Sequence, residues 1–159
     1  MTYKTHILGG VLAGLAVAQS IQINSTMDVA TVVGISTVAS LLPDIDIPNS
    51  KVGNKMGVIS KGINSVFGHR GLFHSPLLYL VIGFLLMNKV PYMILLGALV
   101  GVGSHLFLDM FNSTGIPVLY PLSKSKISVA KIKTRSFGEG VFAVLLVVGI
   151  AFMVYKMFI

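Results

Sequence analysis

Apolar residues of this chain gather in five stretches that are separated by polar segments. The stretches cover residues 7–23, 27–42, 76–87, 91–110 and 138–159. The last two approach the ~20 residues that a helix needs to cross a bilayer. The other three are shorter, so they can cross only where their ends lie in the head-group layer or where the bilayer is thinner. The pattern predicts about five membrane helices.

The composition agrees with a membrane protein. Hydrophobic residues make up 54% of the 159 residues and charged residues only 11%, which is typical neither of a soluble globule nor of a disordered chain. The chain has no cysteine, which excludes a disulfide scaffold, a thiolate metal site and a cysteine nucleophile. We therefore expect an all-α, polytopic membrane helical bundle that forms a single domain over residues 1–159. A very apolar soluble bundle is the alternative.

The net charge of +7 is unevenly distributed along the chain. Ten of the twelve lysines and arginines precede the first stretch, or lie between the second and third or between the fourth and fifth. The positive-inside rule then places the N-terminus and both long loops in the cytoplasm of a bacterial cell, with the C-terminus outside. Lys4, the first stretch and Ala16-Val17-Ala18 imitate a signal peptide, but the weak positive region favours an uncleaved first helix.

The two long loops also carry patterns. Apolar residues recur at helical spacing over residues 51–67 with lysines between them, which predicts a short amphipathic helix in the cytoplasmic interface. Residues 126–133 alternate instead, which is typical of a hairpin or an extended strand.

The five acidic residues and four histidines cluster on one predicted side of the membrane, with the exception of Asp28. His105 and Asp109 are four residues apart, so they share one helical face. They interrupt an apolar stretch, where ionisable groups are costly and usually functional. Asp44 and Asp46 follow the second stretch in a proline-framed turn, for which a simple helix terminator is the alternative.

Further candidates adjoin the other stretches. His69 and His74 flank a segment in which a bend would align the two rings, and Arg70 between them suits a phosphate group. A lipid head-group anchor is the alternative for this segment. His6 precedes the first stretch, and Glu139 begins the fifth, where a negative charge is also favourable at a helix N-terminus.

The ligand types favour zinc, with manganese as the alternative, because imidazole and carboxylate groups are present and thiolates are absent. A catalytic zinc needs three protein ligands and an open position. The candidates exceed that number, which favours two or more ions. A single zinc ion with the surplus residues supporting its ligands is the alternative.

Taken together, these motifs resemble those of a known family over nearly the whole chain. They are His6, Leu42-Pro43-Asp44-Ile45-Asp46, His69-Arg70-Gly71-x-x-His74-Ser75, Gly103-Ser104-His105-x-x-x-Asp109 and Gly138-Glu139. In this order they resemble the YdjM-like family of bacterial inner-membrane proteins, which is classed as metal-dependent hydrolases. The resemblance implies a distant similarity to zinc-dependent phospholipase C and single-strand nucleases, which are all-helical enzymes with a multi-zinc cluster. It also implies metal binding by His6, Asp44, His69, His74, His105, Asp109 and Glu139.

We therefore expect a membrane-embedded, metal-dependent phosphoester hydrolase. Its substrate would be a phospholipid or a lipid-linked phosphate at the cytoplasmic face, attacked by a metal-activated hydroxide. Arg70, together with Lys124 or Lys126, would hold the head group. Asp46 would be a base or would support a metal ligand.

Three other functions compete with this expectation. The protein could be a non-catalytic membrane partner or regulator whose metal only joins helix ends. A metal-dependent nuclease is less favoured, since few aromatic residues are available on the cytoplasmic side for base stacking. A metal transporter is least favoured, because transporters bind their cargo near the bilayer midplane and these stretches carry no ligands there.

Overall fold

The computed structural model describes residues 1–68 and 70–157 of the chain. These residues form seven α-helices and two 3-10 helices, with isolated β-bridges in place of strands. The α-helices are α1 (Tyr3–Ser20), α2 (Thr26–Ala39), α3 (Lys51–Met56), α4 (Val58–Phe67), α5 (Pro76–Leu86), α6 (Tyr92–Met110) and α7 (Phe137–Met157). The 3-10 helices are Leu42–Asp46 and Leu72–His74. The all-helical fold is as predicted.

Three of the described helical segments are long and apolar enough to cross a membrane. They are Thr26–Asp46, Tyr92–Met110 and Phe137–Met157. Helix α5 has only 11 residues, so it rises about 16 Å, roughly half the hydrocarbon thickness of a bilayer. Helix α1 has 18 residues but begins with polar side chains, which lower its hydropathy. The predicted count of about five membrane helices is therefore not confirmed.

Helices α1, α2 and α6 pack closely against one another. Small residues allow the close approach, as in many membrane helix pairs. The Ser36 hydroxyl of α2 donates a hydrogen bond to the Gly10 carbonyl of α1 over 2.8 Å. On the other side, Gly101 of α6 lies directly against the Ser36 backbone, where an added Cβ would overlap it. This packing fixes the ends of α1, α2 and α6 relative to one another.

The segment predicted as one amphipathic helix forms two, α3 and α4. The break is at Gly57, whose φ of +53° is a conformation that favours glycine. Helix α4 turns Ser60 and Asn64 towards the protein, and Asn64 donates a hydrogen bond to the Asp46 carbonyl over 2.8 Å. Its opposite face exposes three large apolar side chains, Val58, Ile59 and Val66.

Residues 111–136 fold back across the end of α6. Ile116 forms an antiparallel bridge with Ile127, and Asn112 forms a parallel bridge with Ile132. Residues 126–133, whose alternating pattern predicts a hairpin or an extended strand, thus take part in two isolated bridges, and the described residues contain no strand. Ile116 is almost completely buried and joins the core of Ala39, Val102 and Leu106. The loop is therefore part of the packed structure around the ends of α2 and α6.

Candidate metal centre

Four helix ends meet at one buried cluster of histidine and aspartate side chains. His6 comes from the first turns of α1, Asp44 from the 3-10 helix after α2, and His74 from the segment before α5. His105 and Asp109 come from the last turns of α6. All five side chains are buried, and four of them are completely inaccessible. The structure thus brings together five of the seven residues that the sequence predicts as metal ligands.

Within the described residues, these side chains form two overlapping sets that can hold a metal ion. One set is His6, His105 and Asp109, and the other is Asp44, His74 and His105. In each set the potential ligand atoms lie within 4.8 Å of one another. The Nε2 atom of His105 is 3.7 Å from Asp109 Oδ2 and 3.9 Å from Asp44 Oδ1. These spacings are short enough for a shared ion.

The rings of His74 and His105 are oriented by hydrogen bonds at their Nδ1 atoms. His105 Nδ1 is 2.7 Å from the Ser40 carbonyl, which can only accept, so this nitrogen carries the proton. His74 Nδ1 is 3.1 Å from Asp46 Oδ2. Such a carbonyl or carboxylate partner fixes the tautomer of a metal-binding histidine and leaves its Nε2 lone pair free. In both rings Nε2 faces the centre of the cluster.

His6 is the clearest sign that the cluster suits a cation. Its ring stacks on that of His105 with centroids 3.8 Å apart and planes inclined by 15°. Neither of its ring nitrogens makes a hydrogen bond within the described chain, although the side chain is fully buried. Buried polar groups are normally hydrogen-bonded, so an unsatisfied nitrogen of His6 fits a metal ligand. The residues present therefore fit a divalent metal such as zinc.

Asp109 lies between the two ligand sets. Its Oδ1 atom is 3.4 Å from His6 Nε2 and 2.8 Å from the amino group of Met1. Its Oδ2 atom is 3.6 Å from His74 Nε2 and 2.6 Å from Arg70 Nη2. The two oxygens of the Asp109 carboxylate thus face different histidines of the cluster, and each also pairs with a cation of the protein itself.

Arg70, predicted as catalytic, is buried beside the cluster. Its guanidinium contacts Asp109 and also donates to the Thr114 hydroxyl and, over 3.3 Å, to the Gly115 carbonyl. Its Nε atom is buried without a hydrogen-bond partner among the described residues. Arg70 also influences the loop lysine nearby: partial burial lowers the pKa of Lys126, and the charge of Arg70 acts in the same direction.

Asp46, the other residue predicted as catalytic, is fully buried. One of its oxygens holds His74 Nδ1, and the other has no hydrogen-bond partner in the described chain. Asp46 is absent from both ligand sets, so the geometry gives it the role of orienting His74.

Glu139 and His69 complete the predicted ligands. Glu139 is buried, but its carboxylate accepts hydrogen bonds from the Thr2 amide over 2.5 Å, the Thr5 hydroxyl over 2.7 Å and the Arg135 amide over 2.6 Å. It therefore joins the beginnings of α1 and α7 and is not in either ligand set. His69 lies outside the described residues.

An open cleft of about 1050 Å³ leads from the surface to Asp44 and Arg70. Its wall includes three exposed cations, Lys4, Lys51 and Arg135. Six polar residues also line it: Asn49, Ser50, Asn54, Asn112, Ser113 and Thr134. The cleft is thus basic, and it gives the cluster a path to solvent.

Sequence reasoning missed two partners of the site. The Ser40 carbonyl carries no signal in the sequence, because every residue has a carbonyl and only the fold selects this one. Thr114 lies in a loop whose course over the cluster depends on its pairing with residues 127 and 132.

Comparisons with known proteins agree with the membrane fold. The family model described as "YdjM inner membrane protein" matches residues 1–158. The protein YvsG of Bacillus subtilis (strain 168) is 36% identical over 140 residues, which cover 87% of this chain and 85% of YvsG. The inner membrane proteins YdjM of Escherichia coli (strain K12) and Shigella flexneri are 41% identical over 87 residues, or 51% of this chain and 44% of theirs. No solved structure matches the chain. The chain therefore belongs to the YdjM family of inner membrane proteins.

Proposed function

We propose that the protein is a membrane-embedded, metal-dependent phosphoester hydrolase that acts on a phospholipid or a lipid-linked phosphate. One observation carries the proposal: a buried set of three histidines and two aspartates opens through Asp44 and Arg70 into a cation-lined cleft. The set offers ligands for a metal, and the cleft offers charge complementarity to a phosphate. Membrane lipids would be the natural source of the substrate for such a site.

Zinc is the metal that the ligand types favour, and manganese is the alternative. When bound, such a metal supplies an activated water and neutralises charge that develops on a phosphoryl group. Both ligand sets include His105, which has only Nε2 to offer and so can serve one ion at a time. One ion would therefore have three protein ligands, and a second ion would be held by the remaining ligands, with Asp109 offering one oxygen to each side of the cluster.

The protein's own groups have separate tasks in this proposal. Arg70 borders both Asp109 and the cleft, so its guanidinium can bind phosphoryl oxygens next to the ligands. Asp46 keeps His74 in the tautomer whose Nε2 faces the centre. Asp44 is the predicted ligand that lines the cleft, which places it between the buried cluster and the substrate.

The orientation in the membrane is also part of the proposal. The cluster joins the start of α1 and the ends of α2 and α6, and the two long loops are packed beside it. Ten of the twelve lysines and arginines belong to these segments. The positive-inside rule then puts the site at the cytoplasmic face, with the N-terminus in the cytoplasm and several membrane crossings.

The first test is the metal content of the detergent-purified protein, measured by elemental analysis. Wild type should carry about one to three zinc or manganese ions per chain, and a His105→Ala/Asp109→Ala variant should lose them. Asp28→Ala is the matched control, because Asp28 lies in the first turn of α2, at the end remote from the cluster. Wild type that stays metal-free after reconstitution with either metal would contradict the proposal.

The second test is release of phosphate from lipid phosphates by the metal-loaded protein. Turnover should disappear in the double variant and persist in Asp28→Ala. Single-stranded DNA tested in parallel should not be cleaved, and its cleavage would favour the nuclease alternative.

A non-catalytic membrane partner with a structural metal is the second candidate. It is favoured by the complete burial of His6, His74, His105 and Asp109. In that case the metal-loaded protein would turn over no phosphoester, and metal removal would lower its unfolding temperature.

A further inference from the structure

The cations along the cleft fall into two groups that differ in burial. Arg70 is buried at the inner end, where Asp44 and the cluster begin. Lys4, Lys51 and Arg135 are exposed and line the outer part. At about 1050 Å³, the cleft is at the upper end of the usual range for ligand pockets, about 300–1,000 Å³, and exceeds what a single phosphate group needs. Arg70 alone can serve a reacting phosphoryl group, which leaves the outer cations without an assigned ligand.

We propose, on the basis of the proposed function, that the outer cleft recognises a second anionic group of the substrate, such as the additional phosphate of a diphosphate ester. The terminal phosphoryl group lies at Asp44 and Arg70, and the second phosphate lies among Lys4, Lys51 and Arg135. Water attacks the terminal phosphorus, the bond from this phosphorus to the bridging oxygen breaks, and inorganic phosphate and the monophosphate ester are released. The site therefore prefers an ester with two phosphate groups to the same ester with one.

The outer cations are attached to segments that the fold holds in place. Lys51 Nζ lies 5.3 Å from the centroid of the Tyr3 ring, a cation–π contact that restrains the side chain. The buried Glu139 carboxylate holds both the Thr2 amide and the Arg135 amide. The Glu139 carboxylate thus connects the backbone just before Lys4 with the backbone of Arg135. Restrained cations lose less freedom when they bind an anion.

The remaining lining of the cleft supports the same ligand class. Asn54, Asn112 and Thr134 place amide and hydroxyl groups in the wall, and Ser50 and Ser113 add further hydroxyls. These groups suit phosphate oxygens. Together with the three outer cations, they make the cleft suited to the charged part of a substrate.

Turnover of a matched pair of esters tests the inference. Farnesyl phosphate and farnesyl diphosphate share one apolar chain, and they are compared in the same micelles. In a Lys4→Gln/Lys51→Gln/Arg135→Gln variant, kcat/KM for the diphosphate should fall about tenfold relative to that for the monophosphate. A Lys55→Gln/Lys61→Gln/Lys133→Gln variant also loses three positive charges, all of them outside the cleft, and its ratio should stay at the wild-type value. An equal fall for both esters in the cleft variant would overturn the inference while leaving the hydrolase intact.

A binding measurement separates the inference from the hydrolase proposal. Metal-free protein is titrated by calorimetry with inorganic pyrophosphate and with phosphate, so that no bound metal can be chelated. Wild type and the control variant should prefer pyrophosphate, and the cleft variant should bind it about tenfold more weakly. If wild type hydrolyses neither ester but shows this difference, the hydrolase proposal fails and the anion site stands. Equal binding of the two anions by wild type would overturn the anion site.

The source of the anion is tested with a soluble ester. Methyl diphosphate carries the same charged group as farnesyl diphosphate without the apolar chain. If the site serves a lipid, the farnesyl ester should have the higher kcat/KM and the methyl ester should still respond to the cleft variant. If kcat/KM for methyl diphosphate is the same in the cleft variant as in wild type, the assignment of the outer cations is overturned.

Discussion

The Nε2 atoms of His74 and His105 face each other across 3.4 Å, and both side chains are completely buried. Each ring is held from behind, His74 by the Asp46 carboxylate and His105 by the Ser40 carbonyl. With the Nδ1 atoms acting as donors, the two Nε2 atoms direct lone pairs at the same space. Two such lone pairs repel each other unless a proton or a metal cation lies between them, and a metal cation can serve both rings at once.

Asp46→Ala should weaken metal binding without abolishing it. The variant removes the acceptor that fixes His74, while every member of the two ligand sets remains. Loss of such a supporting group typically lowers metal affinity by about 10–100-fold. Competition with a chelator of known affinity measures the change, with Asp28→Ala as the control. Complete loss of metal at saturating concentration would show instead that Asp46 is itself a ligand.

Arg70→Gln should separate substrate binding from metal binding. Arg70 lies 2.6 Å from Asp109 and lines the cleft, but a guanidinium cannot bind a metal cation. The variant should therefore keep its metal and lose on the order of 100-fold in kcat/KM for a phosphoester. Arg70→Lys should recover only part of the loss, because an ammonium group does not bind two phosphate oxygens in the same fork. Metal loss in Arg70→Gln would mean that the arginine mainly holds the cluster together.

Gly101→Ala should destabilise the bundle, whereas Gly103→Ala on the same helix should not. A methyl group at Gly101 would overlap the Ser36 backbone, and the same group at Gly103 would have no neighbour within 4 Å. We expect Gly101→Ala to cost about 1–3 kcal/mol, because α2 and α6 must separate to admit it. The unfolding temperature in detergent provides the measurement. Equal temperatures for the two variants would contradict the close packing of α2 on α6.

The sequence reveals much of the site because membrane helices make ionisable residues conspicuous. His105 and Asp109 stand four apart in an apolar stretch, so helical geometry alone places them on one face. The placement of His6, Asp44 and His74 near helix ends on one predicted side is enough to expect that they meet. The structure brings all of them together.

Other features depend on the fold and are hidden in the sequence. The pattern does not distinguish Asp44 from Asp46, whereas the 3-10 turn after Pro43 puts Asp44 at the cleft and Asp46 behind His74. The break at Gly57 is equally hidden, because the apolar spacing continues across it. Helix α5 begins at Pro76, just after His74, whose ring contacts His105 of α6. Because His105 lies before the end of α6, α5 can follow only part of the length of α6.

Glu139→Gln should retain the metal and lower stability. The carboxylate accepts three hydrogen bonds from Thr2, Thr5 and Arg135, and an amide cannot accept all of them with both of its ends. We expect a loss of roughly 1–3 kcal/mol in the free energy of unfolding. Elemental analysis and thermal unfolding are measured on the same preparation. A variant that is as stable as wild type but free of metal would return Glu139 to the ligands, as the family resemblance implies.

Helix α4 should lie in the membrane interface with its apolar face towards the lipid. Ile59 and Val66 are seven residues apart on one face, exposed and without protein cover, whereas Lys61 and Ser65 lie on the polar side. The chain has no cysteine, so single cysteines can be labelled directly with an environment-sensitive fluorophore. Labels at Ile59→Cys and Val66→Cys should be quenched by brominated lipid, and labels at Lys61→Cys and Ser65→Cys by aqueous iodide. Strong iodide quenching at all four positions would place α4 in water and away from the bilayer, which would contradict the prediction.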